Sequence, residues 1–264
     1  MNKYFTYIWV VAKNTFSTRK KLFAQMINHL VFLIFVFYLY KNVYLLSPNV
    51  SLKIPLTNTI WSMAMYYVIF WLGFRLLHNV FQNDVKTGNI EVYLTKPMGY
   101  ITQKLLTVIG EGLLPFTFAL ITSIIVPYLL VGWPVVNTNP IIFIISVVLI
   151  FVLSQILNAF IFILCGLTSF WLEDSNPVYL VVSKFIMIFG NSWVPVAFFP
   201  LGLRVFAEYS PFGAVNSIAF AMYPNFMDRY LFWVGINLFW IIVLGVFTYF
   251  VSTQAFKKLS VNGS

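Results

Sequence analysis

Charge is what this sequence has least of: Asp, Glu, Lys and Arg make up 9% of its 264 residues. A soluble domain carries about 25%, so there is too little polar side chain here to cover a water-facing surface. The single cysteine, Cys165, lies inside an apolar run, which excludes a disulfide framework and leaves the redox compartment unreadable. The only two histidines, His29 and His78, are too far apart to suggest a metal site. No Ser-His-Asp set or carboxylate pair converges at one depth, and the adjacent Glu173 and Asp174 read as solvated caps in a short turn. No GxxxxGK[ST] phosphate loop occurs, so ATP is not bound here by that device. The opening stretch has no small-residue cleavage site, and its apolar part is broken by Lys13 and followed by Arg19, Lys20 and Lys21. It is therefore not expected to be a signal peptide.

What is there is apolar: 61% hydrophobic and 20% aromatic residues, with 29 Phe and a mean hydropathy of +0.88. Aromatics at this density suit lipid-facing helices and interfacial belts. The composition predicts an all-α integral membrane protein, a single transmembrane domain over residues 1–264. A helix needs roughly 20 apolar residues to span, and about six runs meet that. They are Leu22 to Tyr40, Thr59 to Leu77, Leu105 to Leu130, Ile141 to Phe170, Val178 to Phe199 and Tyr230 to Phe256. Residues 200–225 are too polar and broken to span but too apolar for a free loop. An extracellular re-entrant pair of short helices fits, since backbone at membrane depth must be sheltered by protein.

The net charge of +9 would suggest nucleic acid in a soluble protein; here it reads as topology, with no nucleic-acid partner expected. With the N-terminus inside, eleven cations fall on that side: Lys3, Lys13, Arg19, Lys20, Lys21, Arg75, Lys86, Lys96, Lys104, Lys257 and Lys258. Four fall outside, Lys41, Lys53, Arg204 and Arg229, while Lys184 lies within the fifth span. The bias predicts the cell membrane with both termini cytoplasmic. No internal repeat or low-complexity segment is found.

Three features could carry function. Residues 1–21 form a basic amphipathic interfacial helix, with Tyr4, Tyr7, Ile8 and Val11 on one face, drawn to membrane lipid. Residues 78–104 form the longest cytoplasmic insertion. In it Ile90, Tyr93 and Leu94 take one helical face and Lys86, Glu91 and Lys96 the other, after Gly88 and before Pro97. Such a helix either floats at the interface or docks into a groove of a soluble partner. Finally, Arg75, Glu111 and Lys184 lie at comparable depths. Either Glu111 pairs with Lys184 or Arg75 inside the membrane, or the helices project past the headgroups and the charges are wet. Gly110, Gly112 and Gly132 read as sites of close helix packing.

The segment Asn83 to Pro97 resembles the ABC-type export permeases of the second bacterial class. Members carry an acidic/basic pair and then an "sGtle-lL-rP" stretch. Here Asp84 and Lys86, Thr87-Gly88-Asn89-Ile90-Glu91 and Leu94-Thr95-Lys96-Pro97 stand in for them, Asn89 departing from the usual Thr. A weaker likeness covers Phe199-Pro200-Leu201-Gly202 through Tyr209-Ser210-Pro211-Phe212, similar to Pro-Leu and Pro-Phe elements before the last span. The resemblance implies a permease subunit without enzymatic activity of its own, paired with a second permease chain, identical or paralogous. Two cytoplasmic ATPases carrying ATP and Mg would dock beneath. The coupling helix would comprise Asp84, Lys86, Thr87, Gly88, Ile90, Glu91, Tyr93, Leu94, Lys96 and Pro97. Pro200, Leu201, Pro211 and Phe212 would belong to a re-entrant gate.

The competing class, a stand-alone secondary transporter or channel, needs coupling-ion ligands or a polar pore. The third and fourth spans offer little beyond Thr117, Thr122, Ser123, Ser154, Gln155 and Asn158. A lipid-modifying membrane enzyme would need a catalytic cluster the chain lacks. Phe116, Phe118, Phe143, Phe151, Phe160 and Phe162 suit either an amphipathic cargo or a lipid-facing surface.

Overall fold

The computed structural model describes residues 3–15, 19–46, 54–94, 98–172 and 174–262, and these are predominantly helical, with no strand among them. A helix satisfies every backbone hydrogen bond within itself, which hydrocarbon demands. In chain order the helices are α1 (Lys3–Thr15), α2 (Arg19–Leu46), α3 (Leu56–Trp71), α4 (Leu77–Lys86), α5 (Ile90–Leu94), α6 (Tyr100–Val131) and α7 (Pro140–Leu167). They continue with α8 (Asn176–Phe189), α9 (Leu201–Tyr209), α10 (Pro211–Ala214), α11 (Ser217–Phe220) and α12 (Tyr230–Asn262).

Among the described residues four stretches are long and apolar enough to cross a bilayer: Leu22–Leu46, Tyr100–Val131, Pro140–Phe170 and Met227–Lys258. A fifth is a broken one, Leu56–Trp71 followed by Phe74–Lys86 with a 47° bend. The break falls inside the apolar run Thr59 to Leu77 that reads as one helix in sequence. Its cause is Gly73 at φ +88, a left-handed conformation that a glycine adopts at no steric cost. A 3₁₀ turn, Phe74–Leu76, then redirects the chain into α4.

The fifth predicted span is also shorter than the sequence suggests. α8 ends at Phe189, not Phe199, and at 14 residues is only ~21 Å long. Asn191 terminates it with φ +71, and its side chain is occupied there. Asn191 donates to Ser62, accepts from Tyr223 and accepts the Val196 N–H at 2.9 Å.

α3 is the central element, buried from Asn58 to Tyr66 and again at Val68 and Ile69. Its polar residues face partners rather than lipid. Asn58 donates to the carbonyls of Met222 (2.7 Å) and Val135 (2.9 Å) and accepts the Val135 N–H. Thr59 meets Tyr44 of α2 at 2.7 Å, and Trp61 donates to the Gly132 carbonyl at 2.9 Å. α2 is tied in by His29, which bonds Ser123 of α6 at 3.1 Å and accepts from Trp71 at 3.2 Å.

α12 packs along α7, while α1 and α3 both pack along α6. Glycines set two of these approaches. A Cβ on Gly110 would lie 2.7 Å from Val11, and one on Gly112 would lie 2.5 Å from the Leu72 carbonyl oxygen. Gly132 differs from the sequence expectation. It has open space around it and φ +77, so it turns the chain after α6 rather than admitting a neighbour.

Three apolar cores result among the described residues, one at each end of the bundle and a smaller one of Val36 and Tyr40 from α2 with Ile60 and Met63 from α3. The end that carries α1, α4 and α5 is built on Leu77, Phe81, Tyr100, Val108, Phe162 and Phe170. The opposite end is built on Trp61, Met65, Ile150, Phe220, Phe226 and Trp233. α9, α10 and α11 close that opposite end, packing on α8, α3 and α7. An apolar cavity of about 830 Å³ opens there between α6 and α7, floored by Trp61 and Met65 and walled by Phe116, Phe143 and Phe151.

Candidate functional site

The segment between the second and third spans is not a free loop. α4 is amphipathic and its buried side, Leu77, His78, Phe81, Gln82 and Asp84, faces α7 and the turn after it. Phe81 is fully buried, and a Cβ on Gly166 would come within 2.9 Å of its ring, so the α4–α7 approach needs the missing side chain. The polar residues on this face are each satisfied from elsewhere in the chain. His78 stacks on Tyr179 of α8 with ring centroids 3.6 Å apart and planes 5° from parallel. Gln82 accepts from the backbone N–H (2.9 Å) and the hydroxyl (2.6 Å) of Ser175. Nearby, Asp174 accepts the Asn176 N–H at 3.0 Å at the start of α8, and that bond holds its carboxyl below the usual carboxylate range.

Asp84 is the chemical centre of the segment. It is 7% exposed, and its carboxylate meets the Lys104 ammonium of α6 at 2.6 Å while accepting the Tyr100 hydroxyl at 2.9 Å. Lys104 is itself 5% exposed and lies 3.3 Å over the centre of the Tyr93 ring. Lys104 reads in sequence as a solvent-facing cation of a loop, and here it is a buried tie. Burying two charges is costly unless they are paired and hydrogen-bonded. This cluster meets both conditions and fixes α4, α5 and the base of α6 as one unit.

The predicted site residues therefore separate into two kinds. Lys86, Thr87 and Gly88 are exposed, with Asn83, Asn89 and Val92 beside them, and form a ridge at the α4–α5 corner. Gly88 makes the corner with φ +69 and open space around it. The Thr87 hydroxyl caps the α4 end by donating to the Asn83 carbonyl at 2.7 Å. Asp84 and Ile90 (2% exposed) point inward instead, and Tyr93 is half-buried beneath Lys104. α5 is a single turn, Ile90–Leu94; Lys96 and Pro97 lie outside the described residues, as do the side chains of Glu91 and Leu94.

α1 packs beside this unit. Its Tyr7 hydroxyl meets Thr107 of α6 at 3.0 Å, and Ala12 is buried. Ile8 and Val11 take the protein-facing side, while Phe5, Trp9 and Val10 stay exposed.

Arg75 and Glu111 line one cavity of about 500 Å³ between α1, α2, α3 and α6. No ion pair joins them. Lys184 is exposed on α8 and is not among the residues lining that cavity.

At the opposite end, Pro200 precedes α9 and Pro211 opens α10, where the Ser210 hydroxyl accepts the Gly213 N–H at 3.2 Å. Leu201 is exposed, and Phe212 packs on Phe185 of α8 with centroids 5.2 Å apart. A charge cluster that the sequence reading did not anticipate lies here. Glu208, 7% exposed, accepts from Arg204 one turn earlier (2.9 Å) and from Arg229 at the foot of α12 (2.8 Å). The i,i+4 spacing of Arg204 and Glu208 was the available signal. Among the described residues no cluster of His, Cys, Asp and Glu could hold a metal ion.

Comparison with known proteins agrees with the helical membrane architecture. A search among curated proteins finds no match. The family model of the ABC-2 family transporter protein matches residues 26–263, which takes in the α4–α5 corner and all the spans except the first four residues of Leu22–Leu46. The chain thus belongs to the ABC-2 family of transporter proteins, as a transmembrane permease.

Proposed function

We propose that this permease forms half of the pathway of an ATP-driven exporter and receives its driving force from a separate ATPase chain. The observation that carries the reading is the exposed ridge Asn83, Lys86–Asn89 and Val92, mounted on a buried ion pair. A ridge that transmits force must not swivel on its base. The Asp84–Lys104 bond and the Phe81–Gly166 contact couple it to α6 and α7. A push on the α4–α5 corner then moves the ends of two spans together.

The remainder follows from the family reading and the charge pattern. The ridge faces the cytoplasm, where the cation excess places it, and α8 with the bent α3–α4 pair completes a set of six membrane passes. Two permease chains, identical or paralogous, stand side by side over two ATPases, and those partners hold ATP and Mg. The short helices α9 to α11 serve as the extracellular re-entrant gate, with the Glu208 cluster setting the angle of α9 against α12. Exposed apolar residues on α2 (Phe35, Tyr38) and α8 (Leu180, Val181) supply surface for the partner permease and for lipid.

The test is extraction from native membranes in mild detergent, with identification of every co-purifying chain. A stoichiometric chain with a phosphate loop supports the exporter; a permease that is recovered alone in every detergent supports a stand-alone transporter.

A further inference from the structure

The cavity of about 500 Å³ at the α1 end contains two opposite charges that do not neutralise each other. Glu111 is exposed and belongs to no ion pair, and the Arg75 guanidinium lies 5.3 Å from the centre of the Phe70 ring. Asn14 of α1 and Gln25 of α2 bring amides to the same walls, and Trp71 and Leu76 bring apolar surface.

The depth of this cavity follows from α6. Residues 112–131 contain no charged side chain, and a helix of that length covers ~30 Å, the thickness of the hydrocarbon. Tyr128 and Trp133 mark its far end at the interface, as amphipathic rings do. Glu111 thus sits where headgroups begin on the near side. Arg75, immediately after the α3 bend, lies in the same cavity and hence in the same layer.

We infer that this cavity seats the headgroup of a membrane phospholipid bearing a primary ammonium, phosphatidylethanolamine. Arg75 receives the phosphate and Glu111 the ammonium, an arrangement complementary to a zwitterion and to neither an anion nor a cation alone. A guanidinium and a carboxylate make charge-assisted hydrogen bonds of this kind. The trimethylated ammonium of phosphatidylcholine has no N–H to donate to Glu111, and phosphatidylglycerol places hydroxyls where the carboxylate calls for a cation. The inference is independent of the exporter reading, because it concerns the lipid layer around α1 and not the ATPase side.

The experiment is native mass spectrometry of the purified chain in micelles containing equal amounts of phosphatidylethanolamine, phosphatidylcholine and phosphatidylglycerol. For the wild type, singly bound phosphatidylethanolamine should exceed phosphatidylcholine by about tenfold, the equivalent of one hydrogen bond to a charged group. Glu111→Gln should bring the two lipids to parity, and Glu111→Asp should keep most of the preference. Arg75→Gln should lower the occupancy of all three lipids together. Equal binding of phosphatidylethanolamine and phosphatidylcholine by the wild type would overturn the inference without reference to any variant. So would an undiminished preference in Glu111→Gln. Displacement of the bound phosphatidylethanolamine by soluble phosphoethanolamine at lipid-like concentrations would also overturn it, since the occupant would then not be a membrane lipid.

Discussion

Removing the Lys104 ammonium should damage this protein more than removing any other single cation. Asp84 and Lys104 are 7% and 5% exposed and 2.6 Å apart, so neither charge has water as an alternative partner. Lys104→Met keeps the length and apolar stem of the side chain but leaves the Asp84 carboxylate with only the Tyr100 hydroxyl. Leaving one member of a buried pair uncompensated costs about 3–5 kcal/mol. For a chain of this size that corresponds to a drop in Tm of roughly 10 °C. The attraction of Lys104 to the Tyr93 ring is lost as well, which adds to the loss. Asp84→Leu alone strands the lysine in the same way. Replacing both residues together removes the unpaired charge, and such exchanges often come close to wild-type stability.

The assay is thermal unfolding in detergent followed by size-exclusion recovery, for the two single variants and the double. A double variant more stable than either single one is the expected signature. A Lys104→Met variant within about 2 °C of wild type would refute the reasoning, because a half-empty buried pair cannot be that cheap.

Four further outcomes are expected. Gly112→Ala would place a Cβ 2.5 Å from the Leu72 carbonyl oxygen and force α3 and α6 apart. It should cost about 1–3 kcal/mol, whereas Gly235→Ala, in open space within α12, should be neutral or slightly stabilising, by up to about 1 kcal/mol, in the same melting assay. Asn191→Ala removes a side chain bonded to Ser62, Tyr223 and the Val196 N–H at φ +71; about 2–4 kcal/mol should be lost on unfolding in mixed micelles. Gly88→Ala should cost about 1–2 kcal/mol in left-handed strain and lower Tm modestly, with Gly88→Asn milder. Lys86→Glu combined with Val92→Asp changes only exposed positions. Thermal stability should hold within about 0.5 kcal/mol while co-purification of the ATPase falls.

Much of the architecture is legible in the sequence because lipid tolerates few solutions. The scarcity of charge, the apolar runs and the glycine pair 110 and 112 each have a single cheap structural reading. α4 is what the sequence conceals. His78, Gln82 and Asp84 look like loop residues, and their partners, Tyr179, Ser175 and Lys104, lie 20 to 101 positions away. Burial of a polar residue depends on such a partner, which periodicity does not reveal. The α3 break has a weak signal in Gly73, since a glycine in an apolar run equally marks close packing. The early end of α8 has a stop signal in Gly190-Asn191-Ser192 with Pro195 beyond, but the apolar residues Val194 to Phe199 continue the run past it and read as a bend in one span. Opposite charges at Asp84 and Lys104, with Tyr93 and Tyr100 between them, were the readable hint of a buried tie, and a formal charge count alone assigns both to solvent.

The claim that the α4–α5 corner receives an ATPase is tested most directly by photo-crosslinking in intact membranes. A benzoylphenylalanine would replace Asn89, on the exposed ridge, and in a separate variant Leu201, at the opposite end of the bundle. On illumination, the account predicts that the position-89 variant yields an adduct containing peptides of a phosphate-loop ATPase, and that the position-201 variant yields none. Adducts to such an ATPase from position 201 and not from 89, or from neither, would contradict the account.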